Sequence, residues 1–180
     1  MNLTEKTLES KRVFEGKIVN LRVDTVELPN GKTSTREIVE HKGAVAIVPI
    51  LENKKVVLVR QYRQAAGRIL LEIPAGGLEI GEDPADCARR ELQEEIGYYP
   101  GKLTEMFYSY LAPGYSSEKL HTFLAEDLEQ RYLDSDSDEF LEIVTIDLQD
   151  AVEMIRQGEI ADAKSICGLL LASRIFKVCE

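Results

Sequence analysis

Apolar positions follow two different patterns along this chain, and the change falls near residue 43. Residues 11 to 42 alternate in short apolar and polar steps, with Val13, Ile18, Leu21, Val23, Val26 and Leu28 carrying the apolar beat. A period of two is the mark of half-buried strands. Two strands are predicted up to Leu28, then a turn at Pro29-Asn30-Gly31, then a returning strand from Thr33 to His41. This unit, residues 1–42, has few apolar residues of its own and needs a neighbour to bury against.

Beyond it the apolar runs lengthen. GAVAIVPIL (43–51) and VVLVRQY (56–62) are near-continuous runs of strand length, and Arg68 to Ile73 is a third strand, stopped by Pro74 and the Gly76-Gly77 pair. A helix is predicted from Pro84, behind Asp83 as N-cap, to Gly97 as the residue past its end. Ala85, Ala88, Leu92 and Ile96 form its apolar stripe. Strands follow at Leu103 to Tyr110 and Leu120 to Ala125, around an irregular loop at 112–118. An acidic turn at 134–139 leads to a strand at Phe140 to Ile146, and helical periodicity covers Asp147 to Gln157 and Ala161 to Lys177. Residues 43–180 therefore read as an α+β layered domain and not as a parallel βαβ fold.

Composition narrows the classes. At 180 residues and 44% apolar content the chain can bury one ordinary core. A formal charge of −10 with no basic run argues against a general nucleic-acid binder. No apolar run approaches the roughly 20 residues of a bilayer span. The polar, mixed-charge N-terminus is unlike a signal peptide, so a cytoplasmic protein without membrane partners is expected. Cys87, Cys167 and Cys179 show neither disulfide nor zinc spacing and read as reduced apolar side chains. His41 and His121 lie in predicted strands without a nucleophile motif and read as structural.

The chemistry concentrates in residues 76 to 98. Glu91, Glu94 and Glu95 fall within little more than one helical turn, next to Arg90 and shortly after Glu82. Like charges at these spacings repel by only roughly 0.2–0.5 kcal/mol per exposed pair, so a plain solvated helix could carry them. Glu91 and Glu95, four apart, project from one side beside the apolar stripe, with Glu94 farther round. Hard divalent cations want such oxygen donors. The glycine pair lets backbone approach, so the Ala75 carbonyl can face the same ions. Metals held there beside a diphosphate would polarise P–O bonds and assist attack of water on phosphorus.

Gly76, Glu82, Arg90, Glu91, Leu92, Glu94, Glu95 and Gly97 together fit the frame G-x5-E-x7-R-E-U-x-E-E-x-G-U, U being bulky and apolar. This is the Nudix box, and the chain resembles a Nudix hydrolase over about residues 43 to 180. Only Tyr98 departs mildly from the frame, where a branched aliphatic is usual. The resemblance implies a mixed β-sheet sandwiched between helices, with a small N-terminal antiparallel unit. It implies Glu91, Glu94, Glu95 and the Ala75 carbonyl as ligands of Mg²⁺, or of Mn²⁺, with Glu94 also catalytic and Arg90 fixing a box glutamate.

Flanking motifs are similar to one Nudix subfamily, the ADP-ribose pyrophosphatases. Pro113, fifteen residues past the box, matches that subfamily's proline marker. Arg60-Gln61-Tyr62-Arg63 and Leu71-Glu72-Ile73-Pro74-Ala75-Gly76 match its order, implying that Arg63 binds the diphosphate. The N-terminal unit resembles the subfamily's exchanged sheet, which implies a homodimer and makes Arg36 and Glu37 candidates for the adenine. The run Asp138-Glu139-Phe140-Leu141-Glu142 matches the loop supplying the catalytic glutamate, with the match on Glu139. Glu142 and Glu118 remain competing acids, and Asp162 reads as a helix cap. The implied reaction is hydrolysis of ADP-ribose, a nucleotide sugar, to AMP and ribose 5-phosphate. The alternatives are a broader nucleoside-diphosphate-sugar pyrophosphatase and a non-catalytic ADP-ribose sensor.

Overall fold

The computed structural model describes residues 2–133 and 140–178. They form two compact units. One comprises the N-terminal 43 residues together with the segment Tyr110–Lys119, and the other runs from Ala44 to Ser109 and resumes at Leu120.

The first unit is a three-stranded antiparallel sheet, β1 (Lys6–Glu15), β2 (Asn20–Glu27) and β3 (Thr33–Glu40), in the order β1-β2-β3. The turn before β3 uses Gly31 at φ 78°, and its amide donates to Leu28 O at 2.9 Å. A type of turn needing positive φ is why glycine stands there. β1 starts at Lys6, earlier than the alternation indicated, and all ten of its residues are exposed. The loop at 112–118 is tied to β3: Val39 N donates to Tyr115 O at 2.7 Å and Ser117 N to Val39 O at 3.0 Å.

The second unit is a strand layer between helices. Its sheets run β10-β5-β6 and β7-β4-β9-β8, with β4 (Ala44–Pro49), β5 (Lys55–Arg63), β6 (Arg68–Glu72), β7 (Ala75–Gly77), β8 (Tyr98–Tyr110), β9 (Lys119–Gln130) and β10 (Leu141–Asp147). β4 pairs parallel with β9 and antiparallel with β7, so the sheet is mixed. The helices are α1 (Pro84–Glu95), α2 (Leu148–Gln157) and α3 (Ala163–Ile175).

Alternation along the central strands sorts the core into two layers. Ala46, Val48, Ile50, Val56, Leu58, Leu120 and Leu124 pack with Leu148 and Ala151 of α2 and Leu169 and Ala172 of α3. Val45, Ile47, Val57, Val59, Phe123 and Ala125 pack with Cys87, Ala88, Leu92 and Ile96 on the α1 side. Burial on both faces explains why β4 and β5 read as unbroken apolar runs. The fold is the α+β arrangement expected, a mixed sheet between helices with an antiparallel sheet before it.

Two strand segments were invisible to periodicity. β7 is Ala-Gly-Gly, three residues with almost no side chain to carry a pattern. β8 begins at Tyr98, before Pro100-Gly101, a pair that reads as a break. α3 approaches the sheet closely at Gly168, where a Cβ would meet Val48 Cγ2 at 2.9 Å. Leu169 beside it is fully buried. Leu169→Ala is expected to cost about 2–5 kcal/mol in urea unfolding, with turnover per folded molecule unchanged.

Candidate active site

α1 begins where the sequence indicates: the Asp83 side chain accepts from Ala85 N at 2.8 Å, with Pro84 in the first turn. It ends before Gly97, whose φ is 72°. A Cβ there would also meet the Tyr132 ring at 2.0 Å. The chain leaving β9 is fastened to the same end of α1, since Arg131 N donates to Gly97 O at 2.8 Å and Leu133 N to Gln93 O at 3.3 Å.

The apolar stripe pins α1 to the sheet and turns its acidic edge toward β7. Glu91 and Glu95 are buried and Glu94 is half-buried, the order that the helical wheel implies. β7 meets both buried carboxylates. Ala75 N donates to Glu95 Oε2 at 3.1 Å. A Cβ on Gly76 would fall 1.9–2.2 Å from the Glu91 carboxylate atoms, so only glycine lets backbone and carboxylate share this space.

Arg90 gathers the remaining charge. Its Nε donates to Glu82 Oε1 at 2.9 Å and its Nη2 to Glu82 Oε2 at 3.0 Å. Its Nη1 serves Glu91 Oε1 at 2.7 Å and Glu94 Oε2 at 2.9 Å. Glu82 above all raises the Arg90 pKa further above its ordinary value. In return Arg90 lowers Glu82 from 4.5 to about 2. Among the described residues no group of three His, Cys, Asp or Glu side chains stands ready-made around a cation, and Glu91 and Glu94 face the guanidinium. The donors nevertheless suit a hard ion: they are oxygens, beside a backbone that carries no Cβ. Cys87 is a poor rival ligand, since burial pushes its thiol up to about 12 and keeps it protonated.

A second charged group lies at the β5–β6 hairpin. Arg63 faces Glu72 with Nε at 3.1 Å from Oε1 and Nη2 at 2.8 Å from Oε2. Glu72 is 2% exposed. Burial opposes its ionisation, but Arg63 and Lys164 outweigh that and hold its carboxyl below the ordinary value. Glu95 and Asp162 also act on Arg63 electrostatically, which places this arginine in the field of the α1 carboxylates. From sequence neither Glu72 nor Lys164 is assigned a role. A signal existed: a carboxylate inside Leu70-Leu71-Glu72-Ile73 is a charge where the pattern demands an apolar residue.

Other expected residues fall elsewhere. Pro113, Arg36 and Glu37 belong to the first unit. Pro113 is exposed in a turn whose Ala112 O accepts from Tyr115 N at 3.0 Å and Ser116 N at 2.8 Å. Arg36 Nε donates to Glu5 Oε2 at 2.9 Å, and neighbouring Glu37 points to the other face of the strand. Glu118 lies 3.9 Å from His41, also in the first unit. His121 meets Glu105 at 2.7 Å. Glu142 sits opposite Arg60 in the β10–β5 register and pairs with it at 3.0 Å. Glu139 lies outside the described residues. Asp162 does cap α3, accepting from Ser165 N at 3.1 Å.

A mixed sheet between helices, with an acidic helix set against a glycine backbone, offers hard oxygen donors of the kind that suit a divalent cation beside a diphosphate. Comparison with known proteins agrees. The NUDIX domain profile matches residues 40–168, and that of the nucleoside diphosphate sugar hydrolase N-terminal domain matches residues 5–39. The chain belongs to the Nudix hydrolase family, whose members generally need divalent metal ions. It is 46% identical over 168 residues to the ADP-ribose pyrophosphatase of Bacillus subtilis (strain 168), covering 91% of this chain and 90% of that one. It is 42% identical over 164 residues to the methanol dehydrogenase activator of Bacillus methanolicus, covering 90% and 89%. The crystal structure of an ADP compounds hydrolase superposes with a TM-score of 0.87 at 26% identity, over 99% of this chain and 97% of that one. No helix among the described residues is long and apolar enough to cross a membrane.

Glu82 supplies a pH test. Its folded-state pKa is depressed from 4.5 to about 2, so its stabilisation is present above pH 4.5 and is lost as pH falls toward 2. Unfolding free energies measured across that window are expected to fall less steeply for Glu82→Gln than for the unaltered chain.

Proposed function

We propose that this chain hydrolyses the diphosphate of ADP-ribose to AMP and ribose 5-phosphate, with Mg²⁺ as its working ion and Mn²⁺ as a substitute. One observation carries the reading. Glu91, Glu95, Ala75 and Arg63 collect around the β6–β7 corner, in a chain whose likeness to an ADP-ribose pyrophosphatase runs through nearly its whole length.

Within this reading Glu91, Glu94, Glu95 and the Ala75 carbonyl hold the ion. When bound, it neutralises charge on the diphosphate and makes phosphorus a better electrophile. Arg63 spends Nε and Nη2 on Glu72, which leaves its Nη1 side for phosphate oxygens. Arg90 orients Glu91 and Glu94. Glu139 takes the proton of the attacking water. Its competitor Glu142 is committed to Arg60 on a strand and is less able to swing.

A homodimer belongs to the same reading, with Arg36, Glu37 and the Pro113 loop of the N-terminal unit serving the adenine end of a partner's site. Its support is β1, exposed throughout, with Leu8, Val13 and Phe14 in water. A cytoplasmic setting fits the free thiols of Cys87 and Cys167. The match of residues 5–39 to a nucleoside diphosphate sugar hydrolase domain favours a second reading, broader action on such sugars.

Turnover of ADP-ribose, GDP-mannose and 8-oxo-dGTP at equal concentration, with and without EDTA, separates these. ADP-ribose is expected to lead and EDTA to abolish the reaction. A clear preference for either rival would overturn the reading, and binding without cleavage would indicate a sensor. Glu139→Gln is expected to lower kcat far more than it raises KM, whereas that pattern in Glu142→Gln would reassign the base.

A further inference from the structure

We propose that Lys164 is a positioning residue of this site: by sharing Glu72 with Arg63, it keeps the Arg63 charge available to an anionic diphosphate. The inference rests on the assignment of Arg63 to the diphosphate made above.

Glu72 is the pivot. Buried and ionised, it alone could cancel the charge of the one guanidinium that grips both its oxygens. Lys164 changes the balance. Its ammonium lies 2.6 Å from Glu72 Oε2, the oxygen that also receives Arg63 Nη2. Arg63 and Lys164 together balance the two carboxylates they meet, Glu72 and Asp162, so without Lys164 the group would turn net negative; Arg63, with its side chain 40% exposed, is the member that meets solvent. Lys164 itself is 14% exposed and has little access to anything but its two carboxylates.

The geometry is built and not incidental. Asp162 Oδ1 accepts from Lys164 Nζ at 2.9 Å and from Ser165 N at 3.1 Å, so one oxygen both caps α3 and aims the ammonium. Ser165 Oγ then accepts from Ile73 N at 2.9 Å, fastening the first turn of α3 to the residue after Glu72. Two residues further along, Ala75 N reaches Glu95. The start of α3 thus fixes the strand corner from which both Arg63 and the acidic helix take their places.

The test is a charge cycle in the full chain, with ADP-ribose kinetics at low and high salt and urea unfolding alongside. Lys164→Met is expected to raise KM about tenfold at low salt, less at high salt, with kcat changed far less. Lys164→Arg is expected to recover most of that loss. In Lys164→Met/Glu72→Gln the Arg63 charge is released again, so KM is expected to return toward its original value while kcat falls as Arg63 loses its anchor. This double variant removes the buried Glu72 charge together with its ammonium partner, while Asp162 keeps its bond from Ser165 N, so it also serves if the single variant folds poorly. Unchanged KM in folded Lys164→Met, or KM in the double variant as high as in the single one, would overturn the proposal. If the unaltered chain ignores ADP-ribose, the substrate reading fails by itself, and the same cycle is run on whichever nucleoside diphosphate sugar it cleaves.

Discussion

Three glutamates lean on one guanidinium. Glu82, Glu91 and Glu94 all bond to Arg90, and Glu91 must do so where water is scarce. An unpaired buried carboxylate costs several kcal/mol, far more than the mild repulsion of an exposed helical pair. Arg90 therefore compensates much of the acidic edge of α1. Arg90 lets α1 press its apolar stripe onto the sheet, and the stripe in turn presents Glu91 and Glu95 to β7. The glycine at 76 completes the contact by leaving out the one carbon that would collide.

What sequence could and could not reveal follows from how each element is held. β4, β5 and α1 are fixed by burial periodicity and by local caps, and both are written in side chains; their limits came within a residue or two of those expected. β7 is held by backbone pairing to β4 and has no side-chain pattern to read. The segment Tyr110–Lys119 joins the N-terminal sheet through main-chain bonds of Val39 to Tyr115 and Ser117, a distant partnership along the chain that no local signal announces.

The site divides in the same way. Glu91, Glu94, Glu95 and Arg90 are neighbours in sequence, so a motif discloses them together. Arg63, Glu72 and Lys164 come from β5, β6 and α3 and become one group only after folding. A buried glutamate in an apolar strand was the single clue, and it shows that a break in pattern is as informative as the pattern. Arg36 and Glu37, adjacent on β3, project to opposite faces of the sheet, a separation that their adjacency in sequence does not reveal.

The two-faced strand layer has a consequence for how such a protein changes over time. Val45 and Ile47 of β4 pack on the α1 side, and Ala46 and Val48 pack on the side of α2 and α3. Substitutions at Val48 or Ile50 press on α2 and α3, whereas those at Val45 or Ile47 press directly on α1. A change on one face of this strand thus reaches the acidic edge directly, and a change on the other reaches it only through α3.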